Sequence, residues 1–320
     1  MSELTAAGRP PEPNWQTITA EELVAYREAE NRFRASDAVR AITGDPDPGA
    51  TIGWQTVALP GRELPVRVYR PSAGRDGRGA DGAGLPLVLH VHGGAFVGTA
   101  VQSDWVNSHL AAHLPALVVS VEHRLLAPDS PMAAAVDDGW DVLQHVVRQA
   151  APWGIDPARI AVFGESGGAL VCALAAIRAR ETGLRLQAQV LVNPAVDVTG
   201  TMLDHASATE YAHTPTLAVP HLQLVQRLAV PPGGDPRALS PLYADNLNGL
   251  APALVVVPTH DPIADHGRRY AERLQAAGTP ARLTEHPGAG HGFLSTPGLA
   301  PQAEAARAEI LAFLRASLTA

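Results

Sequence analysis

The chain has 320 residues, with 24 basic and 32 acidic side chains and a formal net charge of −8. It therefore lacks the basic surface that nucleic-acid phosphates require. Every basic residue is arginine, which excludes a pyridoxal Schiff base, a P-loop lysine and a Ser-x-x-Lys nucleophile. The lone Cys172 excludes an internal disulfide and a cysteine-built zinc site.

Met1 to Asn14 is polar and proline-rich, with no apolar run of the kind that opens a signal peptide. No stretch approaches the ~20 apolar residues that span a bilayer, so the expected compartment is the cytoplasm and no membrane partner is expected. Thr19-Ala20-Glu21-Glu22 is a capping box and predicts a helix to about Ala35, with Leu23, Tyr26, Glu30 and Phe33 on one side. Gly44 to Gly49 then breaks the chain. Trp54–Leu59 and Leu64–Tyr69 alternate as two antiparallel strands around Pro60-Gly61. Ser72–Gly84 reads as a solvated loop.

From Pro86 onward short apolar runs alternate with helical segments. Strands are predicted at Leu87–Val91, Ala116–Val121, Ile160–Phe163, Ala188–Val192, Ala253–Val257 and Ala281–Glu285. Helices are predicted at Ser103–His113, Met132–Ala150, Gly167–Arg180, Ala264–Ala277 and Pro301–Leu318. The alternation predicts an α/β fold, a mostly parallel central sheet with helices on both faces. Asp197 to about Leu239 breaks the rhythm and is too long for an ordinary connection, which predicts an insertion over the core.

Four segments carry chemistry. Gly164-Glu165-Ser166-Gly167-Gly168 lies between a strand and a helix, where a serine on a cramped turn presents its hydroxyl beside a helix N-terminus. A Gly-rich turn with no catalytic role could share those five letters, so its partners decide. Asp261 follows the strand Ala253–Val257 and is the candidate acid; Asp265, four residues on, reads as a helix N-terminal carboxylate. His291, flanked by glycines in the loop His286–Phe293, is the candidate base, and His286 reads as structural or surface. His92-Gly93-Gly94-Ala95-Phe96 follows the first core strand, and its paired glycines can turn successive N–H groups onto one anion. The predicted oxyanion donors are the amides of Gly93, Gly94 and Gly167. Serine, acid and base occur in the chain order an α/β-hydrolase uses. Cys172, on the apolar helix after Ser166, reads as a buried, inert thiol.

With these segments in place, the chain resembles the hormone-sensitive-lipase family of α/β-hydrolases, which includes many bacterial carboxylesterases. His92–Phe96 resembles that family's HGGGF, Gly164–Gly168 its GDSAG, Asp261–Asp265 its DPLRD and His291-Gly292-Phe293 its HGF. Arg124–Asp138 and Leu239–Leu254 resemble two further stretches, so the likeness spans about residues 55 to 318. Ala95 stands for a glycine, Glu165 for an aspartate and His123 for a tyrosine, and Leu125-Leu126 adds a residue. The resemblance implies an α/β-hydrolase core at 51–197 and 240–320, with a helical cap built from 1–50 and 198–239. It also implies a homodimer, and hydrolysis of small to medium acyl esters by a Ser-His-Asp triad through an acyl-enzyme, with no metal and no cofactor. The pocket-lining residues are not fixed by these motifs; Trp15, Tyr26, Tyr211 and Leu217 are the candidates, or else simply the cap's own small core. A receptor on the same scaffold is the rival from another class, and an amidase, thioesterase, lactonase or deacetylase would share the triad.

Overall fold

In the computed structural model, which describes residues 8–72 and 84–319, eight strands form one sheet. They are β1 (Ala50–Leu59), β2 (Arg62–Pro71), β3 (Leu85–Val91), β4 (Leu117–Val121), β5 (Ile155–Glu165), β6 (Ala188–Val192), β7 (Ala253–His260) and β8 (Ala281–Gly290). The order across the sheet is β1-β2-β4-β3-β5-β6-β7-β8. β1 and β2 pair antiparallel, β2 meets β4 antiparallel, and β4 through β8 are parallel. Residues 73–83, most of the expected Ser72–Gly84 loop, and residues 1–7 lie outside the described residues.

The central strands are apolar along their whole length because both of their faces are covered. Leu87, Leu89 and Val91 of β3, with Val162 of β5 and Val255 of β7, face one side. There they meet α4 (Met132–Arg148), α6 (Gly167–Thr182) and α9 (Ala264–Ala276). Val88, Phe163 and Val256 alternate to the other side and meet α3 (Asp104–His113) and α10 (Gln302–Leu318). Parallel strands of this kind end together, so the loops after β3, β5, β7 and β8 emerge on one edge.

Four helical segments stand off the sheet: α1 (Ala20–Arg34), the short α2 (Arg40–Thr43), α7 (Ala206–Glu210) and α8 (Val219–Ala229). The remaining short helix, α5 (Ala150–Trp153), leads into β5. The Thr19 capping box forms as expected, and Leu23, Tyr26 and Glu30 are buried on one face of α1. Trp15, just ahead of α1, packs on Tyr26 at 5.1 Å, on Phe96 at 5.2 Å and on His221 of α8 at 4.6 Å. The Arg227 guanidinium donates to the Trp15 carbonyl at 2.6 Å. The two irregular regions of the sequence thus meet each other at the edge where the loop after β3 emerges. Among the described residues no helix is long and apolar enough to cross a membrane.

Two expectations need correction. The stretch read as a loop after Glu285 continues β8 to Gly290, pairing His286 with Pro258 and, after an irregularity, Gly290 with His260. Pro and Gly hid this because β8 is an edge strand, where one side of the backbone needs no partner. β5 also starts earlier than Ile160, at Ile155, with a register shift that lets the polar Asp156-Pro157 pass outside the core.

Asp138 of α4 is fully buried and holds the β1–β2 hairpin and the chain after β4 together. It accepts from the Arg124 amide at 2.9 Å, from the Arg124 guanidinium at 2.8 Å and from Arg62 at 3.0 Å. Asp138→Ala leaves both arginines without this acceptor, and we expect it to lower unfolding stability by about 2–3 kcal/mol. Urea denaturation measures this; an unchanged midpoint would mean that water replaces the carboxylate without loss.

Candidate active site

β5 passes directly into α6, and Ser166 is the residue at the turn. Its backbone sits at φ 53°, ψ −117°, a conformation L residues seldom adopt. Its N–H donates to Val192 at 2.9 Å, and its carbonyl accepts from Ala195 at 3.2 Å. Crowding explains the flanking residues. A Cβ on Gly164 would stand 2.3 Å from the Gly168 carbonyl oxygen, and one on Gly168 would stand 2.1 Å from that of Val91.

The other two predicted residues arrive from β7 and β8. His291, the residue after β8, places Nε2 2.9 Å from Ser166 Oγ and Nδ1 2.8 Å from Asp261 Oδ2. Asp261, the residue after β7, is fully buried and accepts the Ile263 amide on its other oxygen at 3.0 Å. With Asp261 ionised, Nδ1 carries the imidazole proton and Nε2 faces the serine hydroxyl as an acceptor. Asp265 does not join them; it accepts from the Ser207 amide at 3.0 Å and from Arg268 at 2.8 Å, tying the first turn of α7 to α9. His286 also stays apart, packed on Phe293 at 5.3 Å.

Gly93 and Gly94 lie beside the serine: a Cβ on Gly93 would be 3.5 Å from that of Ser166. The Gly93 carbonyl accepts from Gln102 Nε2 at 3.1 Å and lies 2.9 Å from His92 Nδ1. Peptide planarity then aims the Gly94 N–H the opposite way. Gly94 has φ 98°, and a Cβ there would strike the Val97 carbonyl oxygen at 1.8 Å. Gly167 is the first residue of α6, where helix N–H groups lack intrahelical acceptors. Among the described residues, no protein acceptor takes the amide of Gly93, Gly94 or Gly167.

Behind this edge lie groups that the motifs did not reveal. Glu165 is buried and accepts hydroxyl hydrogen bonds from Ser103 at 3.2 Å and Ser295 at 2.9 Å. The carboxyl group before Ser166 therefore binds the loop on the glycine side to the turn that follows His291. Asn193, at the end of β6 with φ 36°, brings Nδ2 to 3.5 Å from His291 Nε2. His92 and His123 stack at 4.3 Å. Burial, and then the neighbouring His123, hold His92 well below the ordinary imidazole range, and burial lowers His123 as well. Both rings are neutral at pH 7, so neither adds a charge beneath the glycine loop.

α1 grips that loop directly. Arg27 donates to the carbonyls of Phe96, at 2.7 Å, and Leu126. Asn31 accepts the Gly98 amide at 2.8 Å and donates to its carbonyl at 3.3 Å. The extra residue at Leu125-Leu126 is absorbed here, with the Leu126 amide donating to Ala95 at 2.8 Å.

Ser166, His291 and the three glycines open onto a cavity of about 730 Å³. All four pocket candidates line it: Trp15, Tyr26, Tyr211 and Leu217. Trp15 and Tyr26 are buried as part of the main core cluster, which also holds Phe96 and the residues of α4 and α6, and do not form a separate small core of a cap. Cys172 takes no part, and burial pushes its thiol up, which keeps it protonated.

Residues 88–295 match the α/β hydrolase fold family. The chain is 35% identical to the carboxylesterase NlhH of Mycobacterium tuberculosis over the full length of both. The chain belongs to the α/β-hydrolase family, among its hormone-sensitive-lipase-like esterases. It is also 33% identical to an ethyl acetate hydrolase of Pseudomonas putida, over 87% of this chain and 86% of that one. Among solved structures, the ester-hydrolase EH1AB1 from the metagenome of Lake Arreo superposes with a TM-score of 0.84 at 30% identity, covering 99% of this chain and 96% of that one.

Within this α/β-hydrolase the grip of α1 bears on turnover. Removing both contacts, with Arg27→Met and Asn31→Ala together, should lower kcat on p-nitrophenyl acetate by about 10- to 100-fold through misplacement of the glycine loop. KM should change less. Steady-state kinetics on a variant with wild-type circular dichroism reads this out, and an unchanged kcat would mean the loop holds itself.

Proposed function

We propose that the chain is a carboxylesterase acting on small to medium acyl esters, with Ser166 as nucleophile, His291 as general base and acid, and Asp261 as the group that orients the imidazole. The observation that carries this reading is the unbroken Asp261–His291–Ser166 chain, with contacts of 2.8 and 2.9 Å, ending in the cavity beside three unused amides. As Ser166 Oγ attacks the ester carbonyl, its proton passes to His291 Nε2. The amides of Gly93, Gly94 and Gly167 take the oxyanion of the tetrahedral intermediate.

His291 then protonates the departing alkoxide, and the alcohol leaves an acyl group on Ser166. Water attacks that acyl carbon while giving a proton to Nε2. When the second intermediate collapses, the proton returns to Ser166 Oγ and the carboxylic acid is released. Asp261 stays ionised throughout and stabilises the imidazolium formed in each half-reaction. No step calls for a metal or a cofactor.

Residues 1–50 and 198–239 serve in this reading as a cap that bounds the acyl site. Support comes from Trp15 and Tyr26 of the first segment and Tyr211 and Leu217 of the second, all of which line the cavity. A cavity of this size suits short acyl chains. Activity on p-nitrophenyl esters should therefore fall once the acyl chain outgrows the cavity; a rise that continues to the longest chains would refute the size limit.

Ser166→Ala should lower hydrolysis of p-nitrophenyl acetate by on the order of 10⁴- to 10⁶-fold without unfolding the protein. A serine-directed phosphonate should add its mass to the wild-type chain at Ser166 and leave the variant unmodified. Turnover at the wild-type rate in the variant would remove Ser166 from the mechanism. A wild-type chain that takes up no phosphonate would favour a receptor.

A further inference from the structure

On the face of the sheet away from α6, one carboxylate and two imidazoles converge at a place that plays no part in ester hydrolysis. Asp47 belongs to the segment between α2 and β1, and His109 and His113 stand one turn apart on α3. Asp47 Oδ2 lies 3.2 Å from His109 Nδ1 and 2.8 Å from His113 Nε2. The two rings are 4.2 Å apart, and all three atoms lie within 4.8 Å of one another. We propose that Asp47, His109 and His113 form a binding site for a divalent first-row cation, with zinc as the ion that suits it.

Three features support a built site over a chance surface contact. First, the carboxylate is held in place: its Oδ1 accepts the Gly49 amide at 2.8 Å, and the Asp47 amide donates to Ser108 Oγ at 2.8 Å. That leaves Oδ2 as the oxygen facing the imidazoles. Second, the segment is pressed on α3 by close packing. A Cβ on Gly49 would meet that of Ala112 at 2.9 Å, and one on Gly44 would meet the Trp105 ring at 2.5 Å. The partners from the two elements are therefore fixed relative to each other before any ion arrives. Third, the spacing is near that of a metal site. Zinc with N and O ligands at about 2.1 Å sets neighbouring ligand atoms about 3.4 Å apart in a tetrahedron; Oδ2 stands 3.2 and 2.8 Å from the two imidazole nitrogens, so the groups need to draw apart by up to about 0.6 Å along these contacts, with all three atoms already within 4.8 Å of one another.

Two imidazole nitrogens and one carboxylate oxygen make a donor set that suits zinc. Zinc has no geometric preference of its own, so it tolerates one ring bound through Nδ1 and the other through Nε2. On binding, each imidazole offers a lone pair where it faced Oδ2, its proton standing on the other ring nitrogen. His113 is 45% exposed while Asp47 and His109 are each 18% exposed, so a water can take the fourth position from the solvent side. Two guanidinium groups stand near the ion's position: Arg315 donates to the His113 carbonyl at 2.8 Å, and the other opposes the ion more directly. Arg307, stacked 3.6 Å over the Trp105 ring, lies within Coulomb range of Asp47 and His109, and it sets the affinity below that of a closed structural site.

The consequence of binding is mechanical. Val39, Ile42 and Thr43, just ahead of this segment, line the cavity, and the Ile42 carbonyl accepts the Gly298 amide at 2.9 Å. An ion at Asp47 would staple the descending limb of that wall to α3.

The test uses the full chain, freed of metal with a chelator and titrated with zinc chloride in a calorimeter. Wild type should bind one zinc at this site, raise its thermal midpoint on binding, and slow amide hydrogen exchange at residues 44–49. Asp47→Asn should weaken binding at least tenfold, and His109→Asn with His113→Asn should abolish that site and its exchange protection. Hydrolysis of p-nitrophenyl acetate by the metal-free double variant should equal that of wild type. Zinc binding of equal strength and stoichiometry in wild type and double variant would overturn the proposal, as would no binding to wild type at 100-fold molar excess. Zinc that inhibits both proteins alike would place the ion on His291 and Asp261, and that outcome overturns it too.

Discussion

The junction of β5 and α6 has no loop, and the layout of the catalytic edge follows from that. A strand that turns into a helix within one residue needs a backbone conformation at Ser166 that ordinary side chains resist. The structure supplies it by over-determination: the serine is bonded to Val192 and Ala195, and the glycines on either side let β3 and the helix start come into contact. The strain and the exposure of the hydroxyl have one cause.

Glu165 shows how that junction is joined to the loops around it. Its carboxyl group sits next to Ser166 in the chain and collects one hydroxyl from each flank, Ser103 from the glycine-loop side and Ser295 from the turn after His291. A buried polar group is costly unless it is hydrogen-bonded, and these two hydroxyls tie two separate loops to it. The added methylene relative to aspartate fits this role, since the acceptor oxygens must reach partners on two separate loops. α1 completes the arrangement from outside through Arg27 and Asn31. The glycine loop is thus fixed from the nucleophile's side and from the cavity's side by independent groups.

Much of this was legible in the sequence, for identifiable reasons. Central strands buried on both faces leave continuous apolar runs, and the candidates at their ends could be picked out by chain order, Asp261 by its place past a strand and Ser166 and His291 also by the glycines around them. What stayed hidden depends on pairing between distant segments. The continuation of β8 through Pro287 and Gly288 was unreadable because edge position, which permits such residues in a strand, is a property of the finished sheet. Asn31 and Arg27 looked like ordinary polar positions of an amphipathic helix, since their partners are carbonyls some 70 to 100 residues away. The histidine pair on α3 had the spacing of a helical face, but nothing local marks Asp47 as its neighbour.

The exchange of residues around the proposed oxyanion site follows the same distinction between fixed and free positions. The family's usual pattern has glycine where this chain has Ala95 and alanine where it has Gly167. A Cβ on Gly167 would lie 3.9 Å from both Cα and Cβ of Ala95, ordinary contact distance, so these two positions do not compete for space and either can carry a methyl. Gly93 and Gly94 have no such latitude: a Cβ would stand 3.2 Å from the Glu165 carbonyl oxygen at the first and 1.8 Å from that of Val97 at the second. Both come close to other backbone, at Glu165 and at Val97. The geometry of the glycine loop is therefore set by its first two glycines, and the Ala95 methyl leaves it intact whether or not position 167 carries one.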